Sequence, residues 1–217
     1  MQTGFVDREG FRLHYAMSGR NHAPPLLLLH PLGATMDVWA PQLPHLDPYF
    51  RVIRYDVRGH VKSEVSSGAP TPRTLADYAD DALAVLDAAR APRAHWVGLS
   101  LGGQTAMWAA TRHASRVRRL VLANTGPHLP PASNWDDRIA TALSQGMGPI
   151  AEAVPGRWFT AAFREREPEL VARTVERVRA TQPRGYAEAC GALRDADLRD
   201  SIAGILAPTL IIAGSQD

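Results

Sequence analysis

The chain has 217 residues, of which 45% are hydrophobic and 21% charged, a balance typical of a globular protein and not of a disordered or fibrous one. Its 24 lysines and arginines are interleaved with 22 aspartates and glutamates, so the net charge of +2 does not favour a nucleic acid as partner. The aliphatic run at residues 26–29 is far too short to span a membrane, and the first residues lack a signal-peptide pattern. The single cysteine, Cys190, excludes an internal disulfide and favours a reducing cytoplasm, and we expect it to be a core residue.

Strand-like and helix-like segments alternate along the first half of the chain, which is the order typical of an α/β sheet. Strands are predicted at residues 11–17 (antiparallel), 25–30, 51–57, 94–97, 118–123 and 208–213. Two helices are predicted, at 74–90 and 104–112. Thr74 and Asp77 have the spacing of a capping box at the start of the first helix.

A long stretch of mainly helical character separates the last two predicted strands. It begins at Pro127 and contains helical candidates near 134–146, 157–166, 168–181 and 185–196. We therefore predict three segments, which are an α/β core (1–126), a helical cap (127–204) and a return to the core (205–217). A cap over the C-terminal edge of the sheet is where binding specificity is expected to lie.

The segment Gly98-Leu99-Ser100-Leu101-Gly102 lies between a predicted strand and a predicted helix. A G-x-S-x-G pattern in that position is typical of a tight turn that lifts a nucleophilic serine out of a sheet. Small residues are needed two positions before and two after the serine, and the glycines meet that need. A chance match in a glycine-rich turn is the alternative, which the flanking strand and helix disfavour. We therefore predict that Ser100 is a catalytic nucleophile.

Two backbone amides are candidates for an oxyanion hole, which stabilises the negative oxygen formed when a serine attacks a carbonyl. The N–H of Leu101 directly follows the nucleophile and is the first donor expected of such a turn. The second donor should come from the loop after an early strand, and there the N–H of Leu32, between Pro31 and Gly33, is our candidate. A simple strand-ending turn is the alternative for this loop.

In a triad of this kind the acid follows the serine and the histidine follows the acid. Asp217 fits the acid because it comes just past the strand at 208–213, although an ordinary loop aspartate is the alternative. None of the eight histidines has the chain position of the base, since His30 and His60 lie in loops near the predicted site and His95 lies inside a strand. We therefore expect the last strand and helix of the core to be absent, and these 217 residues alone to have negligible turnover.

The order of four segments resembles that of the α/β-hydrolase superfamily, and the resemblance covers the whole chain. These segments are His30-Pro31-Leu32-Gly33, Arg58-Gly59-His60, 98–103 and 208–217. The cap narrows the resemblance to 3-oxoadipate enol-lactonases of the β-ketoadipate pathway, through Trp135, Arg138 and the stretches 157–169, 185–193 and 195–202. The resemblance implies the α/β-hydrolase fold, which is a mostly parallel sheet with helices on both faces and a helical cap.

The same resemblance implies hydrolysis of the enol-lactone of 3-oxoadipate during bacterial degradation of aromatic compounds, with neither a metal nor an organic cofactor. Ser100 would attack the lactone carbonyl and form an acyl-enzyme that water then hydrolyses. The substrate carries a free carboxylate, for which Arg138, one helical turn from Trp135, is the candidate cation and Arg157 a second choice. A solvated surface arginine is the alternative for Arg138.

Val61 departs from the family pattern, because it stands where a glycine usually follows the R-G-H segment. If the backbone at this position needs a positive φ, a β-branched residue is strained there or shifts the loop beside Ser100.

Other functions stay open on the sequence alone. A general carboxylesterase or a cofactor-free haloperoxidase-like hydrolase would share the fold and differ in the cap contacts. A catalytically inactive α/β-hydrolase that binds a small molecule is a further alternative, because the base is lacking. The favoured partner is a small lactone or ester with a carboxylate, and the oligomeric state is left open.

Overall fold

A computed structural model of the protein describes residues 1–67 and 72–216. Seven strands in this part of the chain form one sheet in the order β1-β2-β4-β3-β5-β6-β7. They are β1 (Gln2–Arg8), β2 (Phe11–Gly19), β3 (Pro25–Leu29), β4 (Arg51–Tyr55), β5 (Ala94–Leu99), β6 (Val117–Ala123) and β7 (Thr209–Ile212). β1 pairs antiparallel with β2, and β2 with β4, whereas all pairs from β4 to β7 are parallel. The mostly parallel sheet is thus confirmed.

All six predicted strands are present, and β1 was missed. The missed strand lies at the edge of the sheet, and its residues alternate between exposed and half-buried without one that is fully buried. An edge strand of this kind has a weak apolar period, because neither face packs deeply into a core.

Helical segments cover both faces of the sheet. They are α1 (Leu43–Leu46), α2 (Leu75–Ala88), α3 (Leu101–Arg112), α4 (Ala132–Gln145), α5 (Gly148–Glu152), α6 (Val154–Trp158), α7 (Ala161–Arg166), α8 (Pro168–Arg179) and α9 (Pro183–Asp195), with 3-10 helices at Met36–Gln42, Ala114–Arg116 and Ile202–Gly204. Leu27 and Leu29 of β3 join the large core cluster that includes α2 and α3. Leu26 and Leu28 join a smaller cluster on the opposite face, with Leu43 and Leu46 of α1. In the described residues, none of the helices has the length and apolar composition needed to cross a membrane.

The predicted capping box starts α2. The Thr74 N–H donates to the Asp77 carboxylate at 2.9 Å, and the Thr74 hydroxyl donates to the same oxygen at 3.0 Å. The first of these bonds satisfies a backbone N–H that the start of a helix leaves without an intrahelical partner.

The helices α4 to α9 lie between β6 and β7. The single helix predicted at 157–166 is wrong, because Phe159 is extended and divides it into α6 and α7, and the Thr160 hydroxyl accepts from the Phe163 N–H at 3.2 Å to cap α7. The short α5 was not predicted. Apolar residues of α4 and α9 belong to the same core cluster as the sheet, so the cap is packed on the core and not tethered beside it. The boundaries 127–204 stay a prediction.

The start of α9 places the cap over the loops at the C-terminal ends of the strands. The Gln182 N–H donates to the Gly59 carbonyl at 3.0 Å, in the loop after β4. The ring of Tyr186 lies against Gly33, in the loop after β3. The cap therefore covers the edge at which Ser100 leaves β5.

Candidate active site

Ser100 stands at a sharp turn between β5 and α3, with φ of +53° and ψ of −114°. This backbone conformation is unfavourable for an L-residue with a side chain, and it persists where the surrounding structure enforces it. Glycines make the turn possible, since a β-carbon at Gly98 would lie 2.3 Å from the Gly102 carbonyl oxygen, and one at Gly102 would lie 2.4 Å from the Leu29 carbonyl oxygen. The predicted tight turn is thus present at position 100.

The backbone of Ser100 is held on both sides while its hydroxyl is not. Its N–H donates to the Ala123 carbonyl at 3.1 Å, and its carbonyl accepts from the Gln104 N–H at 3.0 Å and the Thr125 hydroxyl at 2.9 Å. The half-buried side chain forms no hydrogen bond with another described residue. The turn therefore presents a hydroxyl on a fixed backbone.

Leu101 and Leu32, the two predicted oxyanion donors, leave neighbouring strands at the same edge of the sheet. β3 and β5 are parallel neighbours with Leu29 opposite Gly98, so the loops that follow them start side by side. Leu101 is the first residue of α3, where an N–H has no intrahelical acceptor, and the Leu32 N–H donates to no carbonyl in the described chain. Both amides are therefore free to bind an oxyanion.

His30 and His60 are fully buried, and their rings are occupied by backbone groups. His30 Nε2 accepts from the Val57 N–H at 2.9 Å, and His60 Nε2 accepts from the Gly33 N–H at 2.9 Å. Burial lowers the pKa of His30 to about 3, with a contribution from His60, and burial lowers the pKa of His60 to about 4. Both nitrogens of each imidazole are already hydrogen-bonded to backbone groups, so neither ring can accept the Ser100 proton.

The predicted acid, Asp217, lies outside the described residues. The loop that leads to it is attached close to Ser100, because the Asn124 N–H donates to the Ile212 carbonyl at 2.9 Å and the Asn124 side chain accepts from the Gly214 N–H at 3.0 Å. Asn124 directly follows Ala123, whose carbonyl binds the Ser100 N–H. The end of β7 therefore reaches the same edge of the sheet as the serine.

Trp135 and Arg138 contact each other on α4. The Trp135 side chain is buried and its Nε1–H donates to the Leu129 carbonyl at 2.7 Å, while the Arg138 guanidinium lies 4.8 Å from the centre of the indole ring. Burial raises the pKa of the Tyr186 hydroxyl and of the Cys190 thiol, and the Arg138 charge lowers both. The Arg138 charge therefore acts on the part of α9 that covers the loop of Leu32.

Cys190 is a core residue, as predicted. Arg157, the second choice, is exposed.

Known proteins share this architecture. The chain matches the family described as alpha/beta hydrolase fold over residues 24–217. The protein belongs to the α/β-hydrolase family. This hydrolase is 34% identical over 212 residues to 3-oxoadipate enol-lactonase 1 of Acinetobacter baylyi, a match that covers 98% of this chain and 78% of that protein.

Two further similarities set the limits of that assignment. The crystal structure of the enol-lactonase from Burkholderia xenovorans LB400 superposes on the hydrolase with a TM-score of 0.93 at 39% identity, and the match covers 98% of this chain and 81% of that one. The putative carbamate hydrolase RutD of Variovorax paradoxus is 35% identical over 211 residues, a match covering 94% of this chain and 78% of that protein. The predicted resemblance to enol-lactonases is confirmed, and the similarity extends to hydrolases of other names.

The group that anchors the loop after β4 of the hydrolase was not predicted from the sequence. Arg58 is buried and donates two hydrogen bonds to the Asp81 carboxylate of α2, from Nε at 2.6 Å and from Nη2 at 2.8 Å. Its guanidinium also lies 4.7 Å from the ring centre of Phe11. The R-G-H segment is the only signal for this contact in the sequence, since Asp81 looks like an ordinary helix residue.

Val61 has a φ of +47°. This is the positive φ at which a β-branched residue was predicted to be strained. The Val61 side chain is 37% exposed and belongs to neither hydrophobic core cluster, so core packing does not offset the strain. The hydrolase therefore carries a β-branched residue in a conformation that suits glycine, directly after His60.

Proposed function

We propose that this protein is a serine hydrolase that opens the enol-lactone of 3-oxoadipate through an acyl-enzyme. The observation that carries the proposal is the turn at Ser100, where the backbone is strained and the hydroxyl forms no hydrogen bond with another described residue. In the same described part of the chain, the N–H groups of Leu101 and Leu32 follow neighbouring strands and donate to no carbonyl. A residue held in such a strained backbone conformation costs on the order of 1–3 kcal/mol, and residues of this kind cluster at functional sites. The similarity to enol-lactonases supports the choice of substrate.

The reaction would begin with attack of the Ser100 Oγ on the lactone carbonyl carbon, while the hydroxyl proton passes to a base. The carbonyl oxygen becomes an oxyanion and accepts hydrogen bonds from the N–H groups of Leu101 and Leu32. Collapse of this intermediate breaks the bond to the ring oxygen, which leaves as an enolate and takes up a proton. Water then attacks the acyl-enzyme, again through an oxyanion in the same site, and releases Ser100.

Arg138 is proposed to bind the free carboxylate of the substrate. Three observations support this role, which are its stacking on the buried Trp135, its half-buried position and its electrostatic effect on Tyr186 above the loop of Leu32. A guanidinium fixed in this way can form two parallel hydrogen bonds to a carboxylate.

The test compares Ser100→Ala with Ser144→Ala in protein expressed from the complete coding sequence. Ser144 is exposed on α4, and its hydroxyl donates only to the Ala140 carbonyl, so it is a matched control. We expect Ser100→Ala to abolish loss of the enol-lactone absorbance and labelling by a fluorophosphonate, while Ser144→Ala keeps both. Equal turnover by Ser100→Ala and the unchanged protein would reject the serine mechanism.

Residues 1–217 alone are expected to have negligible turnover. In the described part of the chain, no histidine is bonded to the Ser100 hydroxyl, and the rings of His30 and His60 are occupied. A serine without a general base keeps its proton at neutral pH. Assay of this chain beside the product of the complete coding sequence measures the difference, and equal activity of the two would contradict the expectation.

Hydrolysis of a carbamate or a general carboxylic ester is the second candidate, favoured by the similarity to the putative carbamate hydrolase. The same nucleophile and amides would serve any acyl transfer. Specificity constants for the enol-lactone, a simple aryl ester and a carbamate distinguish the candidates, and a preference for the lactone below tenfold would favour the second.

A further inference from the structure

Two buried histidines connect the loops that follow β3 and β4, and each binds the other's loop. His30 in the first loop accepts a hydrogen bond from the Val57 N–H in the second. His60 in the second loop accepts one from the Gly33 N–H in the first. The two ring centres are 5.3 Å apart, so the bonds form one compact unit.

The hydrogen bonds determine the protonation of both rings. Each Nε2 accepts from an N–H and so carries no proton, which places the proton on Nδ1. His30 Nδ1–H then donates to the Pro31 carbonyl at 2.8 Å, and His60 Nδ1–H donates to the Arg58 carbonyl at 3.0 Å. Both rings are 0% exposed and neutral, with every ring nitrogen bonded to backbone.

These bonds hold the two peptide groups on either side of Leu32. The Pro31 carbonyl and the Leu32 N–H belong to one planar peptide group, so the bond from His30 to that carbonyl also orients the N–H. The next peptide group ends in the Gly33 N–H, which His60 binds. The Ala34 N–H donates to the same Pro31 carbonyl at 3.1 Å and closes the turn. Between these bonds lies the Leu32 N–H, which donates to no carbonyl among residues 1–67 and 72–216.

We propose that His30 and His60 are positioning residues, two neutral imidazoles that fix the peptide groups around Leu32 and thereby aim its N–H at the reacting carbonyl. The part that concerns the reaction rests on the proposed function. Neither histidine touches the substrate, and each acts through the Leu32 amide. An oxyanion donor is effective only where it is held in place before the oxyanion forms.

The experiment uses two variants at position 60 in protein from the complete coding sequence. His60→Asn keeps a donor near Nδ1 but cannot reach Gly33, whereas His60→Gln places an amide oxygen near the former Nε2 and keeps an acceptor for the Gly33 N–H. We expect His60→Asn to lower kcat for the enol-lactone about 10- to 100-fold with KM changed less than about threefold. His60→Gln should recover most of the loss.

All rates are expressed per serine titrated with the fluorophosphonate, so that misfolded protein does not count. A purely structural role would lower the amount of titratable protein and leave kcat per titrated site unchanged. An unchanged kcat in His60→Asn, or an equal loss in both variants, would overturn the proposal.

Nitrogen NMR of the unchanged protein tests the arrangement without any assay. The imidazole shifts of His30 and His60 should show the Nδ1–H form, and the Gly33 amide should exchange slowly in His60→Gln and faster in His60→Asn. The Nε2–H form at both rings would reject the proposed hydrogen-bond arrangement itself. Correct tautomers in a protein without turnover of the enol-lactone, an aryl ester or a carbamate would instead reject the proposed function.

Discussion

Gly59 and Gly185 pack backbone against backbone, with a β-carbon built on either one lying 2.4 Å from the Cα of the other. Gly59 belongs to the loop after β4 and Gly185 to the first turn of α9, so this contact joins the core to the cap. Gly59 also has a positive φ of +72°. The approach is closer than side chains permit, and it determines how near α9 lies to the loops beside Ser100.

Gly185→Ala is expected to destabilise the protein by about 1–3 kcal/mol, because its new methyl group meets the Gly59 backbone. Gly191→Ala in the same helix is the control, since a β-carbon there has open space within 4 Å, and alanine should stabilise the helix by about 0.5–1 kcal/mol. Urea unfolding of both variants measures the difference. Equal stability of the two would mean that the contact does not hold the cap.

Val61→Gly is expected to stabilise the protein by about 1 kcal/mol, because glycine adopts a φ of +47° without the strain of a β-branched residue. The gain is the relieved strain less the larger entropy of an unfolded glycine. Val61→Ala should lie between the two, since alanine loses the branching but keeps a β-carbon. Thermal unfolding checks the order, and a Val61→Gly protein that melts below the unchanged one would contradict it.

Acid should destabilise the fold through His30 and His60. Their pKa values are about 3 and about 4 in the folded protein and near 6.5 in the unfolded chain, so below pH 6.5 the unfolded chain takes up protons that the folded protein does not. The contribution of the two histidines to the free energy of unfolding is then fully present above pH 6.5. It falls as the pH is lowered towards 4, by up to about 1.4 kcal/mol per pH unit for each histidine. His60→Gln should flatten this slope in urea titrations between pH 7 and 4.5. An unchanged slope would show that His60 titrates alike in both states.

Arg138→Gln is expected to lower kcat/KM for the carboxylate-bearing lactone about 10- to 100-fold, mostly through KM, because it removes the charge-assisted bond proposed for the substrate carboxylate. An uncharged aryl ester should react at an unchanged rate with the same variant. Arg173→Gln is the control, since Arg173 is exposed and lies beside Glu169 on α8. A similar loss for both substrates would mean that Arg138 supports the cap and does not bind the carboxylate.

The local part of the site was predictable from the sequence because its signals are short in range. The strand, the turn and the helix around Ser100 depend on glycines within a few residues of the serine, and all three are present. Strain at Val61 was predicted only on the condition of a positive φ, and the φ of +47° meets that condition. The interruption at Phe159 was not predicted, because the surrounding residues have helical composition; Phe159 is extended and Thr160 caps a new helix.

The partners of His30, His60 and Arg58 could not be predicted, because each binds a group 23 to 27 positions away that only the folded sheet brings near. Even the proton position on the two imidazoles depends on those distant amides. Spacing along the chain determined where the tight turn at Ser100 lies and which elements surround it. Packing of parallel strands and the close approach of α9 decided how the loops beside the serine are held, because buried backbone groups must find acceptors wherever the fold supplies them.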